Sequence, residues 1–183
     1  GCKCVAFRDD GTQLATAYTE YPLATGQVNL PPDILQSSVF QVISRCTAQL
    51  AEDAASVSSL AISSFGESFV ALDQFGAALT DILLYFGNTE SEEFSQLVDT
   101  IGLEKFMKIA RILPDASYPL SKMLYTQKVA KRPVWKYLFI AGFITYRLTG
   151  KAYTDVSLAC RSLLYDVEKS CWSKELLEKC GIE

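Results

Sequence analysis

The chain contains no histidine among its 183 residues, and this absence narrows the chemistry open to it. It excludes Ser-His-Asp and Cys-His triads, zinc sites with histidine ligands and haem held by histidine. Carboxylate chemistry, lysine chemistry, a metal site built from cysteines, or binding alone remain. The sequence has no glycine pattern of the dinucleotide type and no G-x-x-x-x-G-K stretch, so neither a Rossmann nor a P-loop nucleotide site is supported.

Six cysteines are scattered along the chain, and none forms a C-x-x-C pair. A metal site would need four such soft ligands close together, which this spacing does not favour. We therefore expect no metal, and we expect reduced cysteines that pack as small hydrophobes in a cytoplasmic protein.

Composition limits the class of partner. The net charge is −4, with 17 basic and 21 acidic residues, which argues against binding nucleic acid or an anionic membrane surface. The longest apolar run, residues 138–144, is far shorter than the roughly 20 residues that span a bilayer. With 49% hydrophobic and 21% charged residues, the chain predicts one globular domain with a substantial core.

The pattern of elements predicts a mixed α/β fold. Asp9-Asp10-Gly11 predicts a turn between strands at 2–7 and 12–21, and Pro31-Pro32 opens a helix reaching about residue 53. Further strands are predicted at 57–64, 68–73 and 82–85. Helices are predicted near 90–100, 103–111, 120–130, 133–148 and 173–180, the last with Ser173 as N-cap and Gly181 past its end.

Four segments, in order along the chain, resemble the N-terminal domain of the FGGY family of carbohydrate kinases. They are GCKCVAFRDDGTQLATAYTEYPL, VSSLAISSFGESFVALDQFGAAL, SYPLSKMLY and LTGKAYTDVSLACRSLLYDVEKSCWSKELLEKCGI. The resemblance implies a ribonuclease H-like fold of the actin and hexokinase type, a mixed sheet with flanking helices. It also implies phosphoryl transfer from ATP, with Mg²⁺, to a sugar or polyol, as in xylulose, gluconate and glycerol kinases. Such transfer needs no histidine.

The resemblance also implies what residues 1–183 lack. In the family, the phosphate loop precedes the position of Gly1, and the catalytic Asp and a second domain follow Glu183. The chain is therefore expected to be a single partial domain that has no catalytic residue and is inactive alone. A missing sheet strand before Gly1 would favour poor solubility or a homodimer. The alternative is a non-catalytic domain, derived from the kinase fold, that binds a sugar or a protein partner.

The resemblance places the sugar near the loop Phe65-Gly66-Glu67, between two predicted strands, and near Tyr118. Glu67 would accept hydroxyl hydrogen bonds, Phe65 would form a wall, and Gly66 would leave room where relatives carry Arg or Met. Lys122 is expected on a helix surface.

Two further segments concern specificity and structure. The stretch Tyr85-Phe86-Gly87-Asn88-Thr89 stands where relatives carry Trp-x-Asp-x-Arg, so it lacks both charged residues. Asp155, Ser157 and Arg161 are expected to be structural, with Asp155 capping a short helix.

Overall fold

A computed structural model describes residues 1–85 and 92–182 of the chain. The strands are β1 (Cys2–Phe7), β2 (Gln13–Thr19), β3 (Asn29–Leu30), β4 (Phe69–Leu72), β5 (Ile82–Leu83), β6 (Lys136–Phe139), β7 (Tyr165–Asp166) and β8 (Cys171–Trp172). The helices are α1 (Pro32–Thr47), α2 (Glu92–Ile101), α3 (Leu103–Ala110), α4 (Pro119–Val129), α5 (Ile140–Thr149), α6 (Val156–Arg161) and α7 (Lys174–Cys180). The chain forms two compact units, Gly1–Ile62 and Ser63–Glu183.

The first unit begins with the predicted hairpin of β1 and β2. The strands are antiparallel, with Ala6 opposite Ala15. In the connecting turn the Gly11 N–H donates to the Arg8 carbonyl over 2.9 Å. Gly11 has a φ of 84°, a conformation that glycine adopts without steric cost. The Asp-Asp-Gly signal is thus confirmed.

Helix α1 packs its apolar stripe against this hairpin. Pro32 begins the helix, where a proline loses no needed hydrogen bond. The small core of the unit consists of Ala15, Ala17, Val42, Cys46 and Leu50. Helix α1 is shorter than the predicted helix, which reaches about residue 53. A 3₁₀ helix over Ala48–Ser56 follows α1, and Ala51 within it has a φ of 49°.

The predicted strand at 57–64 is wrong. Within the described residues this segment has no strand, and Val57 and Leu60 are more than half exposed. An apolar run favours a strand only where a partner accepts its backbone hydrogen bonds, and periodicity alone does not identify that partner.

The second unit contains the core that supports the candidate site. In it β4 pairs antiparallel with β6, with Phe69 opposite Phe139. The β4 residue Phe69 belongs to a buried hydrophobic cluster with side chains from α2, α3, α4 and α7, among them Phe94, Phe106, Leu120 and Leu176. Because β4 is buried along its whole length, the backbone that directly precedes it is held firmly at one end.

The predicted helix at 133–148 is partly wrong, since its first part is strand β6 and α5 begins at Ile140. A short apolar run does not distinguish a buried strand from a buried helix by periodicity. Pairing with β4 decides the conformation here. By contrast, α7 begins and ends as predicted, because the Ser173 side chain caps it and Gly181 follows with a φ of 60°.

Candidate functional site

Glu67 lies on the loop that leads into β4. Ser64 anchors this loop, since its hydroxyl accepts a hydrogen bond from the Ala141 N–H, in the first turn of α5, over 3.2 Å. Such first-turn N–H groups have no partner within their own helix. The prediction that Glu67 lies between two strands is wrong in part. A strand follows Glu67, but the segment that precedes it is irregular.

The carboxylate of Glu67 is paired with Arg161, the last residue of α6. The Nε of Arg161 lies 2.5 Å from Oε1 of Glu67, and Nη2 pairs with the same oxygen. The Glu67 side chain is 20% exposed and that of Arg161 is 44% exposed. A charge-assisted contact of this kind fixes the carboxylate more firmly than a neutral hydrogen bond would.

Arg161 also contacts the second predicted sugar-binding residue. Its guanidinium carbon lies 4.6 Å from the centre of the Tyr118 ring, within the range of a cation–π interaction. Tyr118 is half-buried and directly precedes α4. The structure therefore brings two of the predicted residues together through a third, and we call these three residues the Glu67–Arg161–Tyr118 cluster.

Phe65 and Gly66 lie on the same loop as Glu67. The Phe65 ring is half-buried, and its centre lies 6.4 Å from that of Tyr85. A Cβ added to Gly66 would meet Leu158 Cδ2 at 3.6 Å, an ordinary contact distance. Residues 86–89 of the predicted specificity stretch lie outside the described residues.

Lys122 is buried rather than on a helix surface, so that prediction is wrong. It is 0% exposed, and its Nζ donates to the Ser117 carbonyl over 2.6 Å. Burial lowers the pKa of Lys122, and the nearby charges of Glu67 and Asp115 partly oppose this effect. The buried ammonium holds the backbone just before Tyr118.

Asp155 caps α6, as the sequence predicts. Its carboxylate accepts from the Leu158 N–H over 3.0 Å and from the Ser157 hydroxyl. These hydrogen bonds, that of Ser157 first, lower the pKa of Asp155. The structural role expected for Arg161 stays a prediction. Its contacts with Glu67 and Tyr118 could not be predicted, because these residues are far from residue 161 in sequence.

Three further observations concern the binding of small ligands, metals and membranes. A surface cavity of about 300 Å³ is lined by residues that include Arg132, Trp135 and Tyr137, and none of the four predicted site residues lines it. Across residues 1–85 and 92–182, no group of three or more acidic or cysteine side chains could hold a metal ion. In the same ranges, no helix combines the length and apolar character needed to cross a membrane.

The model of the N-terminal domain of the FGGY family of carbohydrate kinases matches residues 1–183. The chain belongs to the FGGY family of carbohydrate kinases. The family match confirms the resemblance read from the four segments, and it extends from the first residue to the last.

Curated FGGY relatives are distant in sequence and longer than this chain. The chain is 22% identical to the xylulose kinase of Lactococcus lactis, over 99% of its own length and 37% of that protein. It is 24% identical to the glycerol kinase of Thermococcus onnurineus, over 98% of its own length and 38% of that protein. The chain thus spans less than two fifths of the length of these relatives.

Solved structures of FGGY kinases share the fold. The xylulose kinase of Rhodospirillum rubrum superposes with a TM-score of 0.85 at 16% identity, covering 98% of this chain and 38% of that one. The gluconate kinase of Lactobacillus acidophilus superposes with a TM-score of 0.81 at 20% identity, covering 99% of this chain and 38% of that one. These likenesses confirm the predicted ribonuclease H-like α/β fold.

Proposed function

We propose that residues 1–183 form the sugar-binding N-terminal domain of an ATP-dependent carbohydrate kinase, and that Glu67 binds its sugar or polyol. The observation that carries the proposal is the Glu67–Arg161–Tyr118 cluster. It holds a partly exposed carboxylate beside an aromatic ring, on a loop anchored to a buried strand. A carboxylate accepts hydroxyl hydrogen bonds, and a tyrosine offers both an apolar face and a polar tip.

The backbone of Glu67 supports the proposal. Its φ is 57°, in the left-handed region that residues other than glycine adopt at a cost of about 1–2 kcal/mol. Strained residues of this kind concentrate at functional sites, where the strain places a side chain that glycine could not supply. Glu67 thus keeps a carboxylate at a position where the backbone conformation alone would favour glycine.

The neighbours of Glu67 have supporting roles in this proposal. Phe65 lines one side of the sugar site, and Gly66 leaves the loop without a side chain at the adjacent position. Tyr118 contacts the sugar through its ring or its hydroxyl. All of these residues belong to the unit Ser63–Glu183.

ATP, Mg²⁺ and the catalytic base are proposed to belong to other parts of a longer protein. Across residues 1–85 and 92–182 no group of three or more acidic or cysteine side chains could hold a metal, so a magnesium ion there would need phosphates and water for most of its ligands. In this proposal residues 1–183 are one partial kinase domain that binds and orients the acceptor hydroxyl. Six free cysteines support a cytoplasmic location, where thiols stay reduced.

The test is sugar-dependent ADP release by the full-length protein with ATP and Mg²⁺. The first panel of sugars contains xylulose, gluconate and glycerol, which give the related kinases their names. We expect at least one of these compounds to stimulate ADP release well above the rate without sugar. Binding of a sugar without ADP release would instead support the non-catalytic alternative. If the protein neither binds nor phosphorylates a sugar, the proposal is contradicted.

A further inference from the structure

The Arg161 guanidinium contacts both side chains that are proposed to bind the sugar. We propose that Arg161 is a positioning residue, which fixes the Glu67 carboxylate and the Tyr118 ring in the geometry that the sugar requires. This inference rests on the proposed function of the site. It assigns to Arg161 a specific part in substrate affinity, beyond a structural one.

The pairing leaves part of the carboxylate for a ligand. Both Nε and Nη2 of Arg161 reach the same oxygen, Oε1 of Glu67. Within the part of the chain that the structure describes, Oε2 therefore stays available to sugar hydroxyls. An arginine presents its donors in a planar fork, and two donors of that fork hold this one oxygen in place.

The same guanidinium restrains the ring. Arg161 lies over the face of Tyr118 at 4.6 Å, which limits how the ring can turn. From the other end, the buried Lys122 holds the Ser117 carbonyl, one residue before Tyr118. Arg161 thus restrains the Tyr118 ring through its face, and Lys122 restrains the backbone that carries the ring.

Arg161 is itself held firmly because α6 is fixed at both ends. Asp155 caps the start of the helix through the Leu158 N–H. Just past its end, the buried Ser162 hydroxyl donates to the Ala159 carbonyl over 2.6 Å and accepts from the Leu164 N–H over 3.0 Å. The last residue of α6 therefore projects from a restrained backbone, as a positioning residue requires.

The test compares Arg161→Ala and Arg161→Lys in the full-length protein, with Lys105→Ala as the control. Lys105 pairs with Glu175 between α3 and α7, and its side chain is 43% exposed, against 44% for Arg161. The sugar KM, the ATP KM, kcat and Tm are measured for each variant. Xylulose, gluconate or glycerol serves as the sugar, whichever the wild type phosphorylates.

We expect Arg161→Ala to raise the sugar KM about tenfold or more while the ATP KM changes less than twofold. Arg161→Lys keeps the charge but loses the fork, so it should recover only part of this loss. Lys105→Ala should leave both KM values unchanged. In a Glu67→Ala background, removing Arg161 should add less than it does in the wild type, because the two residues act on the same ligand contacts.

A wild-type sugar KM in Arg161→Ala would overturn the inference and leave the proposed function standing. Fully independent effects of Arg161→Ala and Glu67→Ala would also overturn it. If Arg161→Ala does not fold, Arg161→Lys tests the inference instead. A wild-type sugar KM in that variant would show that the planar donor fork of arginine is not needed to hold Glu67. Absence of turnover in the wild type is a different result, which removes the proposed function and this inference together.

Discussion

Replacing Glu67 by alanine should weaken sugar binding about tenfold to a hundredfold. Arg161 occupies Oε1, so one oxygen of Glu67 remains for the ligand. A hydrogen bond to a charged group contributes about 1.5–3 kcal/mol, and about 1.4 kcal/mol corresponds to a tenfold change in affinity. One such bond therefore predicts the stated range. ATP affinity should barely change, because the nucleotide is proposed to bind other parts of the protein.

Glu67→Gly separates the role of the carboxylate from that of the backbone. Both Glu67→Ala and Glu67→Gly remove the carboxylate, so both should lose the same sugar affinity. Alanine keeps the steric cost of a φ of 57°, whereas glycine relieves it. We therefore expect Glu67→Gly to be more stable than Glu67→Ala by about 1 kcal/mol, which is the lower end of the cost of this conformation.

The assay is steady-state ADP release over a range of sugar concentrations at saturating ATP, with a thermal melt of each variant. Glu175→Ala is the matched control, since it removes a carboxylate from an exposed ion pair between α3 and α7. An unchanged sugar KM and kcat/KM in Glu67→Ala would refute the reasoning, because the Glu67 carboxylate would then serve only its ion pair with Arg161. Sugar affinity retained in Glu67→Gly alone would refute it equally.

Two further predictions concern stability. Because burial lowers the pKa of Lys122, the unfolded chain binds more protons there, so the contribution of this residue to the free energy of unfolding should rise toward alkaline pH. Burial raises the pKa of the Cys180 thiol and the Tyr137 phenol, and their contributions fall over the same range. Lys122→Met should lack this rise when compared with the wild type by denaturant titration. Asp155→Ala should lose the cap of α6, about 1 kcal/mol, and lower Tm by about 2–4 °C. Asp155→Asn keeps a capping side chain and should remain near the wild-type Tm at neutral pH.

Much of the fold could be predicted from local signals. The Asp9-Asp10-Gly11 turn, the proline start of α1 and the caps of α7 depend on residues close in sequence, and these predictions are confirmed. The predicted strand at 57–64 and the predicted helix over the residues of β6 are wrong for a shared reason. Their conformation depends on whether a distant segment pairs with them, which periodicity does not report.

In the candidate site, too, local motifs predict some features, and others depend on residues distant in sequence. The family resemblance indicated Glu67 and Tyr118 from motifs around each of them, and the capping role of Asp155 followed from its position before a helix. Nothing in the sequence links Glu67 with Arg161, which lies 94 residues away. The sequence does not predict the burial of Lys122 either, because a lysine on a helix usually keeps its ammonium in water.

The central claim is that this chain binds the sugar for a carbohydrate kinase whose catalytic parts lie elsewhere. The most direct measurement is sugar-dependent ADP release, with ATP and Mg²⁺, by the full-length protein and by residues 1–183 alone. We expect turnover by the full-length protein and none by residues 1–183. Robust turnover by residues 1–183, or none by the full-length protein with any sugar, aldonate or polyol, would contradict it.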